Sequence, residues 1–174
     1  MARQRTTTRR ARALRAAFAT LVLAAAFLLD ATAAARADVD VIRDPARLRD
    51  MLAGRTLYGR YLNGDAVAEY YAPDGKAAYR QRQCLYAGRW WIERLTADFG
   101  IFEAGTPTVC FQYRALNPDG PPFCFAVSGT AGAERFYGTS GAPEYSGIPT
   151  LLTDHWAEGN AEPLSLEGDG CPSV

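Results

Sequence analysis

The chain is poor in the residues that most catalytic and metal sites are built from. It has one histidine, four cysteines and two methionines in 174 residues, and its 19 Lys and Arg are balanced by 19 Asp and Glu. With His155 standing alone, a histidine-based metal centre has no ligand set. No Cys-x-x-Cys supplies thiolates at zinc spacing, so no metal and no cofactor is expected. There is no Gly-x-Ser-x-Gly nucleophile elbow either. The apolar run from Ala16 to Leu29 falls short of the ~20 residues that a membrane span requires, so no stable membrane insertion is expected. No cysteine follows that run before Cys84, so no lipid anchor is indicated.

What is present at the start explains the charge balance. Arg3, Arg5, Arg9, Arg10, Arg12 and Arg15 precede the apolar run, and Ala35-Arg36-Ala37 offers small residues at a cleavage site. This is the layout of a cleaved secretory signal over residues 1–37, and its Ala- and Arg-rich composition points to a bacterial periplasmic or secreted product. Removing it leaves twelve basic and eighteen acidic side chains, a net charge of about −6. A chain so acidic lacks the Lys and Arg surplus that nucleic-acid binding needs. Residues 38–174 suffice for one domain.

All four cysteines, Cys84, Cys110, Cys124 and Cys171, lie in the mature part, and an even count in an oxidising compartment implies disulfides. Asn117-Pro118-Asp119-Gly120 resembles a tight turn, but Pro121 and Pro122 cannot donate to a ladder, so pairing resumes only near Phe123. The resulting wide loop sets Phe111 opposite Phe123 and Cys110 opposite Cys124, close enough to bridge. Cys84 and Cys171 remain to pair and would tie down the C-terminal tail.

A short helix is expected after Asp44, with Pro45 at its first position, Gly54 just past its end, and Leu48, Met51 and Leu52 on one face. From Thr56 onward, short runs rich in Tyr, Phe, Trp and Val alternate with Gly, Pro, Asn and Asp. They read as "RTLYGRYL", "AVAEYY", "KAAYRQRQCLY", "GRWWIERL", "DFGIFE", "TVCFQYRAL", "PFCFAVSG", "ERFYGTS" and, more weakly, "IPTLLTD". The fold class is mainly β, an antiparallel meander closed into a small lipocalin-like barrel of eight or nine strands, with a β-sandwich as the alternative. Pro73, Asp74 and Gly75 predict a tight turn with a positive φ at the glycine.

Taken in order, Gly54, Thr56, Gly59, Tyr70, Tyr71, Pro73, Asp74, Gly75, Gly88, Trp90, Cys110, Tyr113, Cys124, Gly159 and Asn160 resemble the pattern of a family of small exported proteobacterial proteins. The resemblance runs from about Gly54 to Asn160. It implies a small secreted β domain with Cys110–Cys124 as the shared bridge, and it attaches no activity.

For function, the aromatic doublets Tyr70/Tyr71 and Trp90/Trp91 put aromatic surface on both faces of their strands, one of which could hold a ligand. Arg80 and Arg82, within a basic stretch from Lys76 to Arg89, suggest an anionic ligand or envelope component, against the plainer reading of a charged edge strand. Glu69 shares strand parity with Tyr71 and could face a pocket. With Glu93 it forms the only acid pair worth weighing for catalysis. Asp154 and His155, adjacent on a strand, should point to opposite faces and so make a poor catalytic dyad. The expectation is a non-enzymatic envelope protein that binds a small ligand through an aromatic-lined cavity. A structural or inhibitor-like interaction module comes second, and an enzyme using Glu69 and Glu93 third.

Overall fold

In a computed structural model, residues 40–116, 119–139, 148–168 and 170 are described. Residues 1–37, expected to be a signal segment, and Cys171 lie outside the described residues. No helix among the described residues is long and apolar enough to cross a membrane.

Helix α1 (Pro45–Leu52) starts where the sequence places it, with the Asp44 carboxylate accepting from the Ala46 N–H at 2.9 Å. It is capped at Ala53, and Gly54 just beyond it, with φ 78°, turns the chain into the first strand. Eight antiparallel strands follow: β1 (Arg55–Tyr61), β2 (Ala66–Tyr71), β3 (Lys76–Gln81), β4 (Cys84–Arg94), β5 (Pro107–Tyr113), β6 (Phe123–Ser128), β7 (Arg135–Gly138) and β8 (Leu151–Glu158). Each pairs with the next and β8 returns to β1, closing an eight-stranded barrel.

Closure removes the edges, so the basic stretch is not an edge strand: β3 is flanked by β2 and β4. The run "KAAYRQRQCLY" is also two strands rather than one, because Arg82 adopts a left-handed φ of 56° and reverses the chain. "DFGIFE" forms only an isolated Phe99–Phe102 bridge, whereas the weaker "IPTLLTD" contributes to a full strand, β8. At the first turn Gly75 takes φ 86° and its N–H donates to Ala72 O at 3.0 Å, as its sequence predicts. At the wide loop Phe111 pairs with Phe123 and Cys110 with Cys124, and the two sulfurs are bonded. Cys84 is disulfide-bonded as well.

The helix seals one end of the barrel. Leu48 and Leu52 are fully buried in the same cluster as Leu57, Tyr71 and Trp90. The Trp90 indole N–H donates to Ala72 O at 2.9 Å, while the Arg49 guanidinium lies 5.1 Å above the ring. The tail from Gly159 straps the outside of β1 to β4. Thr56 Oγ donates to Gly159 O at 2.6 Å and accepts from the Ala161 N–H at 3.1 Å, and Leu164 is buried against Ala68 and Ala78.

Candidate functional site

Away from the helix the barrel is hollow. A cavity of about 250 Å³ opens at the end where β1 and β3 finish and β6 and β8 begin. Its walls are the inward side chains of alternate strand positions: Tyr61, Glu69, Tyr79, Phe111, Tyr113 and Phe125 set its character. Gln81, Leu116, Phe123, Phe136 and Leu151 complete it. Five large apolar side chains that remain exposed, Leu62, Leu116, Phe123, Ile148 and Leu152, belong to segments at this open end.

Glu69 is the chemical centre of the wall. Its residue is only 5% exposed, yet both carboxyl oxygens are engaged. Tyr71 donates its hydroxyl to Oε2 at 2.8 Å, and Tyr113 donates to Oε1 in a short contact. Tyr79 completes the polar surface by donating to the Tyr61 hydroxyl at 3.1 Å. Burial disfavours the charged carboxylate and pushes the Glu69 pKa up to about 8, even though the Tyr71 hydrogen bond pulls the other way. The same burial pushes Tyr61 up to about 12 and raises Tyr71 and Tyr79, Tyr71 further because Glu69 sits beside it and Tyr79 further because it donates to Tyr61. At neutral pH the cavity therefore presents a largely protonated acid among neutral phenols.

Gly88 makes the Tyr113 contact possible. It faces Tyr113 across the β4–β5 ladder, and a Cβ placed there would lie 2.7 Å from the Tyr113 ring and 2.3 Å from Gln112 O. The missing side chain is the space that the phenol occupies on its way to Glu69. The ring then packs at 5.4 Å from Tyr79 and stacks at 6.1 Å on Phe111.

The residues expected to gather into a ligand site do not gather. Tyr71 and Trp90 point inward, Tyr71 to Glu69 and Trp90 into the sealed end. Tyr70 and Trp91 point outward. Tyr70 packs beside the tail, and Trp91 donates to Glu93 at 2.6 Å under the Arg89 guanidinium. Arg80 is ion-paired with Glu162 of the tail, and Arg82 with Asp65 at 3.1 Å, so neither offers an uncommitted charge to an anion. Glu69 does face a pocket, but Glu93 is on the opposite side of the wall beside Cys110, so the two acids share no cleft.

The outer face holds one departure from simple strand alternation. Tyr58 pairs with His155 but Gly59 with Thr153, so Asp154 is a bulge residue. Asp154 and His155 consequently line the same outer groove rather than opposite faces. Asp154 is spent on Arg60 at 3.2 Å, and His155 stacks on Tyr58 at 4.4 Å.

Sequence reasoning missed Tyr61, Tyr79, Gln81, Tyr113, Phe125 and Phe136 as wall residues. A usable signal was the i, i+2 spacing in Phe111-x-Tyr113, Phe123-x-Phe125 and Tyr79-x-Gln81. That spacing keeps both side chains on one face, whereas a doublet sends one of its two rings outside. Comparison with protein-family models, curated proteins and solved structures finds no match.

Proposed function

We propose that this protein is an exported, non-enzymatic binding protein that holds a small, apolar-bodied molecule inside the barrel. The observation that carries this reading is the open cavity of about 250 Å³ whose aromatic wall contains one buried, doubly hydrogen-bonded carboxyl. A core built only for stability would be filled to near-crystalline density, and a polar acid in its wall would add cost rather than stability. Apolar walls with a few fixed polar groups are what small-molecule sites share, and this volume lies just below their usual range of about 300–1,000 Å³. The ligand is accordingly fragment-sized.

The test is a titration with indole, a neutral apolar probe, followed by NMR of the aromatic side chains. Binding inside the barrel moves the signals of Tyr113, Phe125 and Phe136, and a Leu151→Trp variant that fills the mouth abolishes the shifts. Shifts confined to outer residues such as Tyr58 and Trp91, or undiminished shifts in the filled variant, would end the cavity reading. Native mass spectrometry of protein taken from its own envelope fraction then gives the mass of any co-purifying molecule.

The exposed apolar side chains at the open end support a second reading, in which the mouth docks on another protein. Under that reading Leu62→Asp, at an exposed position of the same end that does not line the cavity, abolishes complex formation while leaving indole binding in place.

A further inference from the structure

We infer that the molecule held in the cavity is a small organic ammonium ion, with Glu69 as its counterion. The inference rests on the barrel interior being a binding site and adds the charge of the occupant.

The first argument is the inventory of hydrogen-bond donors. Tyr71 and Tyr113 spend their O–H groups on Glu69, and Tyr79 spends its own on Tyr61. Gln81 directs an amide N–H to Asp65 at 3.0 Å, away from the cavity. What remains facing the interior is the acceptor capacity of the carboxyl, the phenol oxygens and the Gln81 carbonyl, beside two donors, the Tyr61 hydroxyl and the proton of the neutral Glu69 carboxyl. Once Glu69 gives up its proton, acceptors outnumber donors, and that surplus is complementary to an ammonium, which carries donors and no acceptor.

The second argument is charge. The groups facing Glu69 are Tyr71 on its own strand, Tyr61 on β1, Tyr79 on β3 and Tyr113 on β5, none of them cationic. No Lys, Arg or His lines the cavity among the described residues. Two phenols donating to the two oxygens of one acid is a pattern that suits the ionised carboxylate, while the absence of a counterion disfavours it. An arriving ammonium removes the conflict. It supplies the missing positive charge within reach of both oxygens, and the proton that Glu69 held leaves to solvent.

The third argument is the surrounding aromatic faces. Tyr79, Tyr113 and Phe111 lie against one another beside the carboxyl, and their ring faces attract cations within ~6 Å. An anionic occupant meets the opposite: an acid, electron-rich rings, and the hydroxyl protons of Tyr71, Tyr79 and Tyr113 already committed. Size sets the body. The cavity has room for about eight water-sized groups at ~30 Å³ each, which suits an arylalkylamine and excludes a long acyl chain.

The experiment uses the whole chain and three probes of nearly one shape: phenethylamine, 2-phenylethanol and 3-phenylpropionate. Affinities are measured by calorimetry at pH 7 in buffers of different ionisation enthalpy, with NMR locating the bound probe. Phenethylamine should bind at least ten-fold more tightly than 2-phenylethanol, with 3-phenylpropionate weakest, and should release about 0.9 proton per ligand at pH 7, the share still on an acid of pKa about 8. Glu69→Gln, checked for its fold by NMR, should bring the amine-to-alcohol ratio to within two-fold and abolish proton release. The proton count in the native chain keeps the test valid if that variant fails to fold. Interior binding of 2-phenylethanol without any preference for the amine, or amine binding without proton release, overturns the ammonium inference and leaves the cavity reading standing. Interior shifts with none of the three probes overturn both.

Discussion

Glu69→Gln should reverse its sign as a stability mutation across the physiological pH range. In the folded chain Glu69 holds its proton up to about pH 8, whereas in the unfolded chain it loses it near 4.5. Between those values the folded state binds one more proton than the unfolded state. Stability therefore falls as pH rises, by roughly 1.4 kcal/mol per unit. The contribution of the neutral acid is fully present below the unfolded pKa, declines through the window from 4.5 to 8, and levels off above it. Accumulated over pH 5 to 8 the loss is on the order of 4 kcal/mol, a large part of the ~5–15 kcal/mol that a domain of this size has.

Glutamine keeps the shape and cannot ionise. Its oxygen can accept from one of Tyr71 or Tyr113, but its amide must donate to the other, which has to turn its hydroxyl away. That rearrangement costs about 1 kcal/mol at every pH. The variant should thus be slightly less stable than the native chain at pH 5, match it between pH 5 and 6, and exceed it by several kcal/mol at pH 8. Urea unfolding followed by tryptophan fluorescence, at fixed ionic strength and half-unit pH steps, reads this directly. The ionisations that the two proteins share cancel in the difference. Parallel profiles, with the variant still the less stable protein at pH 8, would refute the reasoning about Glu69.

Three further perturbations separate the site from its supports. Gly88→Ala forces a Cβ to within 2.3 Å of Gln112 O and 2.7 Å of the Tyr113 ring, so urea unfolding should show a loss of ~1–3 kcal/mol and NMR a displaced Tyr113. Unchanged Tyr113 shifts would mean that the ring does not need this space. Replacing Cys110 and Cys124 together by alanine opens a bridge between residues 14 apart and should cost roughly 3 kcal/mol in the same assay, with the cavity probes still bound because the sulfurs are on the outer face. Thr56→Val keeps the volume but strips the partner of both Gly159 O and the Ala161 N–H. Stability should fall by ~1–3 kcal/mol and amide exchange should accelerate first in residues 159–168; exchange that accelerates uniformly would show that the tail is not a separately latched unit.

The parts of this fold that were readable in the sequence are those decided by residues close to one another. Asp44, Pro45 and Gly54 mark the two ends of the helix. Pro121 and Pro122 rule out a tight loop and so bring Cys110 to Cys124. The turn at Arg82 was not readable, because an arginine carries no signal for a left-handed φ and its strand neighbours on both sides are alike in composition. Closure into a barrel was readable from the unbroken run of short strands, but the register of the closing pair was not. The β1–β8 pairing joins segments about a hundred residues apart and runs through a bulge at Asp154, so no local rule specifies it. The bulge also defeats alternation itself, which is why Asp154 and His155 share a groove. The site failed for a related reason. The parity of Glu69 with Tyr71 is visible in four letters, but the arrival of Tyr113 depends on the accumulated register of four strands and on the gap left at Gly88.

That dependence bears on what Glu69 is for. A buried acid that destabilises the barrel as pH rises is a poor structural element, since a glutamine or an apolar residue would fill the same wall at lower cost above about pH 6. Two tyrosines and one glycine nevertheless hold it in place. Such an arrangement is consistent if the cost is relieved by the ligand. An ammonium that binds the ionised acid in the folded state and nothing in the unfolded state adds stability by linkage, and it does so most strongly where the unliganded protein has lost most. Saturating phenethylamine should therefore raise the unfolding midpoint more at pH 8 than at pH 5.5, opposite to the trend of the free protein. A ligand effect that is independent of pH would separate the stability role of Glu69 from recognition and leave the acid without a function in binding.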